Sequence, residues 1–166
     1  MFDLAHIHVM IVHLPIIGTA LAVLPLFWWI YKKDATIQLV GLVLMGVSLI
    51  GLPIAMGTGE ETFEKFMTGS ILPDLDSAGS HYALLHYQAA ETVSKIGYIA
   101  LVIVAGQIFF WNKKFKYKKA LLVVTTAINL LLIVGFSYVG YLGWQIRHPE
   151  FRADTTQWIT APTLAK

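Results

Sequence analysis

Leu4-Ala-His-Ile-His-Val-Met-Ile-Val-His-Leu-Pro-Ile-Ile-Gly-Thr-Ala-Leu-Ala-Val-Leu-Pro-Leu-Phe-Trp-Trp-Ile-Tyr31 contains no Asp, Glu, Lys or Arg. About 20 apolar residues are enough to carry a helix across the hydrocarbon core of a bilayer. This stretch is therefore read as a membrane span. Pro15 and Pro25 would break a soluble helix, whereas neighbours in a membrane bundle absorb such kinks. Met1-Phe2-Asp3-Leu4-Ala5 has neither a basic region nor a small-residue cleavage site, so the span is expected to be retained and not removed as a signal peptide.

The pattern recurs. Residues 35–59 and 120–146 are equally free of charge, and Ile96 to Trp111 is a shorter uncharged run. That third run extends back to His81, and its Glu91 and Lys95, four apart, can pair near the membrane surface. The reading is an all-α, polytopic membrane protein. It is one domain over residues 1–166, a four-transmembrane-helix bundle with helices at about 4–31, 36–58, 81–112 and 119–146. A polar tail, 149–166, carries Trp158 as its one large apolar anchor. Composition agrees: 13% charged residues and 57% hydrophobic ones set the chain apart from soluble domains, where about 25% are charged.

Charge orients the bundle. The connections at Lys32-Lys33-Asp34 and at residues 112–119 are short and hold seven Lys against one Asp. Residues 60–80 are expected to form a longer loop with Glu60, Glu61, Glu64, Asp74 and Asp76. The positive-inside rule puts the short basic loops in the cytoplasm and both termini outside. Trp28, Trp29 and Trp111 fit the inner aromatic belt, and Trp144 the outer one.

With that topology, all six histidines fall at the outer end. His6, His8 and His13 lie on the first helix, His81 and His86 on the third, and His148 just beyond the fourth. No two are spaced i, i+4, so a metal would draw its ligands from different helices. Two imidazoles facing each other across a bundle is the geometry of bis-histidine haem b. The iron-ligand candidates, in order, are His13, His86, His8, His81 and His6. Height complicates this order. At 1.5 Å per residue His13 stands about 27 Å above the inner surface, His8 about 34 Å and His86 about 37 Å. Glu91 is level with His13 and can orient a ligand or relay a proton. Arg147 is placed to meet a haem propionate, or to snorkel at the interface. Glycines at 41, 46, 51, 57, 135, 140 and 143 either make room for a macrocycle or let helices pack closely. Histidines that simply hydrogen-bond at the interface are the plain alternative.

Three short motifs carry a family resemblance. His8-Val-Met-Ile-Val12-His13-Leu-Pro15 resembles the HPxxVHFP signature that opens the bacterial four-helix membrane proteins of domain of unknown function 2231. Gly57-Thr-Gly59-Glu60-Glu61-Thr-Phe-Glu64 is similar to that family's G-x-A-E-E stretch, and His86-Tyr-Gln-Ala-Ala90-Glu91 to its histidine at the start of helix 3. Val9 stands where the family has proline, and Thr62 where alanine is common; neither removes a candidate ligand. The resemblance covers most of the chain. It implies a b-type cytochrome-like protein of the bacterial inner membrane, with His8, His13, His86 and the Gly59-Glu60-Glu61 segment as its marked residues. Some relatives resemble fusions to Rieske-type domains, which implies electron-transfer company.

The leading expectation is an electron-transfer subunit holding one or two haem b groups near the periplasmic face, with quinol as electron donor or acceptor. Its partners would be the lipid bilayer and other membrane or periplasmic redox subunits. No histidine lies in the inner half, so it would not carry charge across the bilayer alone. The alternatives are a cofactor-free scaffold subunit of a membrane complex and a transition-metal site built from His6, His8, His81 and loop carboxylates. With no cysteine, disulfides, thiolate sites, iron–sulfur clusters and covalent haem within the chain are excluded. No nucleophile–base pair or phosphate-binding glycine motif stands out, and topology explains the basic loops without nucleic acid. Asn129 and Gln107 are read as interhelical hydrogen-bond partners.

Overall fold

Backbone N–H and C=O groups in lipid must be satisfied within their own segment, so long apolar stretches become helices. The computed structural model describes residues 4–71, 75–111, 113 and 116–152. Its helices are α1 (Leu4–Ile11), α2 (His13–Lys32), α3 (Ala35–Met67), α4 (Ser77–Phe109) and α5 (Lys118–Arg147). A 3-10 turn follows at Pro149–Phe151. Four segments are long and apolar enough to cross a membrane: Leu4–Lys32, Ala35–Met67, Ser77–Phe109 and Lys118–Arg147. α1 and α2 share the first of these. Pro15 lacks the N–H that would bond the Ile11 carbonyl, and the ladder lapses at Val12, which itself keeps helical angles.

The spans form a closed ring. α2 packs along α3, α3 on α4, α4 on α5, and α5 returns to α2, while α1 rests on α3. The turn between the first two spans is tight. Lys33 takes the left-handed conformation (φ 54°) to end α2, and the Asp34 carboxylate accepts the N–H groups of Thr36 and Ile37 to start α3. Leu26, Leu42, Met45, Leu49, Val104 and Leu122 fill the centre, while large apolar side chains such as Leu24, Val102 and Val134 cover the outside. That is the arrangement of a bundle solvated by lipid, where close packing and interhelical hydrogen bonds hold the helices together. Asn129 donates to the Thr19 carbonyl at 3.0 Å, joining α5 to α2. Gln107 donates to the Thr125 hydroxyl at 2.6 Å, joining α4 to α5. Both residues therefore do what their type and position suggested. α2 and α3 approach closely at Gly18, where a Cβ would collide with the Ser48 side chain.

The helix ends differ from the sequence expectation in one important place. α3 does not stop at residue 58 but continues to Met67, and α4 starts at Ser77, so most of the expected 60–80 loop is helical. Hydropathy marks where the apolar run ends, not where the helix does. Glu61 and Lys65 pair at 2.9 Å one turn apart, and Thr62 donates to the Thr58 carbonyl, so polar residues carry the helix onward. Asp74 and the tail from residue 153, Trp158 included, lie outside the described residues. Glu91 and Lys95 pair as expected, at 2.8 Å.

The described chain ends on a clasp. Arg152 Nε donates to the Gln145 carbonyl and a second guanidinium nitrogen to the Ile146 carbonyl, each at 2.7 Å. These are last-turn carbonyls of α5, which have no partner within the helix. The remaining arm of the guanidinium meets the Asp76 carboxylate, which also caps α4 through the Gly79 N–H. The Arg152 side chain is 3% exposed, so one buried cation ties the start of α4 to the end of α5.

Arg152→Ala is expected to cost about 1.5–3 kcal/mol, the range for hydrogen bonds to a charged group. Asp76→Asn keeps most of the cap and is expected to cost about 1 kcal/mol or less, since Asp76 is exposed. The hydrogen bond from Arg152 holds the Asp76 carboxyl below the usual carboxylate range, with the Gly79 N–H adding to it. A depressed folded-state value means that this stabilisation is complete above the ordinary carboxylate pKa and is lost as pH falls through the lowered one. Thermal unfolding in detergent from pH 7 down to pH 3 should thus show the wild type losing more stability on acidification than Asp76→Asn.

Candidate functional site

Two of the six histidines are brought together. His8 comes from α1 and His86 from α4; their ring centroids are 6.4 Å apart and their planes perpendicular. Each ring is held the same way. His8 Nδ1 lies 2.9 Å from the carbonyl oxygen of Ala55 on α3, and His86 Nδ1 lies 2.9 Å from that of Val139 on α5. A carbonyl only accepts, so both rings donate Nδ1–H, and in each neutral ring the lone pair is on Nε2.

Both seats depend on a glycine four residues further along the accepting helix. A Cβ at Gly59 would stand 2.7 Å from His8 Cε1 and 3.1 Å from its Nδ1. A Cβ at Gly143 would stand 3.2 Å from both Cε1 and Nδ1 of His86. Without a side chain at that position, an imidazole can lie on the helix surface and reach the carbonyl of the preceding turn. Carbonyl–glycine pairs at 55/59 and 139/143 thus repeat one device on two helices.

A cavity opens on either side of the pair. The smaller, about 130 Å³, is lined by Gly59, Glu60, Phe63, Phe66 and Tyr87 among others. Phe63 and Tyr87 stack at 4.4 Å between centroids, nearly parallel. The larger, about 430 Å³, is lined by residues that include His13, Pro15, Ser94, Phe136, Gly140 and Trp144. His8, Ala55, Met56, His86, Ala90 and Ile146 line both. The histidine pair therefore stands in the partition between two largely apolar spaces.

The other sequence candidates lie elsewhere. His13, first in the sequence order of ligands, is exposed; its Nδ1 lies 2.7 Å from the Val9 carbonyl of its own turn. It lines the larger cavity but is not half of the pair. His6 is exposed on α1. His81 is exposed on α4, with its ring beside Tyr82. His148 packs on Trp144 and bonds Glu150, which holds the Glu150 carboxyl below its ordinary value. Arg147, the exposed last residue of α5, lines neither cavity. The Glu91 carboxylate is engaged by Lys95. Among the described residues no group of three or more His, Asp or Glu side chains gathers as a metal site. Sequence reasoning passed over Arg152 and Ser94. It read Gly143 as room for a macrocycle or for close helix packing and Gly59 as part of a resemblance motif, whereas both glycines make space for the imidazoles themselves.

The pair has the dimensions of two axial ligands. Imidazole nitrogens bound on opposite sides of one metal ion at about 2.0–2.1 Å place the ring centroids about 6 Å apart. Haem iron takes one or two axial ligands from protein, where a protein-only transition-metal site takes three or four. The donor set here fits the former. The chain matches no known protein family, no curated protein and no solved structure. Nothing beyond the three short motifs supports the expected resemblance to domain of unknown function 2231.

Gly59→Ala is expected to destabilise the protein by about 1–3 kcal/mol through overpacking against His8. Gly143→Ala, with the longer contact, should cost less. Gly140→Ala meets nothing within 4 Å and should be neutral or slightly stabilising, as alanine favours the helix. Thermal unfolding of the three variants in one detergent checks this ranking.

Proposed function

We propose that the chain is a membrane-bound electron-transfer subunit that holds haem b between His8 and His86. The observation that carries this reading is the pair itself: two imidazoles from different helices, at axial-ligand separation, each with Nδ1–H on a backbone carbonyl. That hydrogen bond is the usual companion of a metal-bound histidine, because it fixes tautomer and ring orientation and raises the basicity of Nε2. Bound there, the haem supplies one-electron redox chemistry. The chain's own residues do the rest. The Ala55 and Val139 carbonyls aim the ligands, Gly59 and Gly143 give the rings their seats, and the apolar cavity walls keep water from the centre. His8 and His86 thus take precedence over His13, His81 and His6 as ligands.

Orientation follows from the lysine-rich turns, which the positive-inside rule puts in the cytoplasm. The histidine end and both termini then face the periplasm of a bacterial inner membrane. Electron partners would be periplasmic proteins or neighbouring membrane subunits at that face. Because every histidine lies at one end, the subunit exchanges electrons on one side of the membrane.

Purified protein supplied with haem should show a Soret band and, on reduction, a sharp alpha band, with one haem per chain by pyridine haemochrome. His8→Ala and His86→Ala should each lose the low-spin spectrum, while His6→Ala and His81→Ala keep it. A protein that binds no haem, or that keeps the spectrum in both ligand variants, would sink the proposal and leave a scaffold role. The orientation is checked separately, and cleanly, since the chain has no cysteine of its own. Ser70→Cys should react with a membrane-impermeant thiol reagent on spheroplasts, and Lys32→Cys only after lysis.

A further inference from the structure

The larger cavity has features that axial ligation does not use. Val9, His13, Gly140 and Trp144 on its wall are exposed on helices long and apolar enough to cross a membrane, so it opens on the flank of the bundle. A lipid-soluble ligand suits that flank and the apolar lining. Two polar groups interrupt the apolar wall. The Nδ1–H of His13 is committed to Val9, which leaves Nε2 of the neutral ring as a hydrogen-bond acceptor. Ser94, 2% exposed, lines the same cavity, and its hydroxyl has no hydrogen-bond partner among the described residues. A ligand oxygen or hydroxyl that reaches it gains a hydrogen bond. Phe136 and Trp144 supply aromatic surface on the same wall, suited to a flat ring. At about 430 Å³ the cavity is in the range that admits a small-molecule headgroup.

We infer that this cavity binds the ring of a membrane-soluble aromatic diol or its quinone, with His13 and Ser94 as the hydrogen-bonding residues and Trp144 beside the ring. An acyl chain would fill the apolar wall but make no use of His13 or Ser94. The choice of a redox-active ring rests on the electron-transfer reading, because the same cavity reaches His8 and His86; the binding itself does not require haem.

The test uses the full chain in lipid nanodiscs and a decyl-substituted benzoquinone as probe, read by quenching of tryptophan fluorescence. Saturable quenching is expected, with Trp144→Phe removing most of the saturable part. His13→Phe and Ser94→Ala should each weaken apparent affinity about tenfold, the equivalent of one hydrogen bond. His13→Gln, which keeps an acceptor, should recover most of that loss. Quenching that rises linearly with membrane quinone, or saturable quenching indifferent to His13 and Ser94 and displaced by oleate, would overturn the inference in favour of partitioning or an acyl-chain pocket. The absorption spectrum of the same samples separates the two readings. Haem with only linear quenching removes this inference alone, and His13-dependent saturation without haem supports it while removing the haem.

Discussion

The arrangement at the histidine end depends on one short-range interaction used twice: an imidazole N–H on a backbone carbonyl that a glycine leaves open. His8 reaches Ala55 past Gly59, and His86 reaches Val139 past Gly143. Each bond joins neighbouring spans, the first to the second and the third to the fourth. The two rings then meet, so helix packing and the geometry of the histidine pair are set by the same contacts. In a low-dielectric interior such bonds gain strength, and an unmade one is correspondingly costly. A helix-surface carbonyl already serves its own ladder, but its second lone pair accepts the imidazole without breaking that ladder.

The bundle below this site is held by other means. Large aliphatic side chains fill the core, while Asn129 and Gln107 each cross to a neighbouring helix. Interhelical bonds of this kind are worth roughly 0.6–2 kcal/mol in membranes, so they register the helices without dominating stability. Arg152 acts at the opposite boundary of the histidine site, neutralising α5 carbonyls that no helix residue can satisfy. With the ends of α4 and α5 tied together, His86 and its acceptor Val139 lie on a pair of helices fixed on the histidine side.

Much of this was legible in the sequence, for identifiable reasons. Uncharged runs long enough to cross a bilayer specify spans almost directly, and the Lys32-Lys33-Asp34 turn marks its own helix ends. The level of His8 with His86 could be read from a rise of 1.5 Å per residue, against the ligand order that put His13 first. What could not be read lies between segments. Nothing in the local sequence says that Gly59 receives a ring while Gly57 faces open space, because that depends on which helix face meets α1. The extension of α3 to Met67 was hidden because polar residues sustain a helix that hydropathy no longer detects. Arg152 stands well past the last span, and its burial comes from the turn at Pro149–Phe151 returning it under Tyr82.

The perpendicular setting of the two rings would give haem held between His8 and His86 a direct spectroscopic signature. Two axial imidazoles at right angles leave the iron d orbitals that they engage nearly degenerate, whereas parallel rings split them. Electron paramagnetic resonance of the ferric, haem-loaded protein reads that splitting. One strongly anisotropic low-spin signal is expected, with both axial nitrogens histidine. A high-spin signal, or a low-spin signal unchanged in His86→Ala, would contradict it.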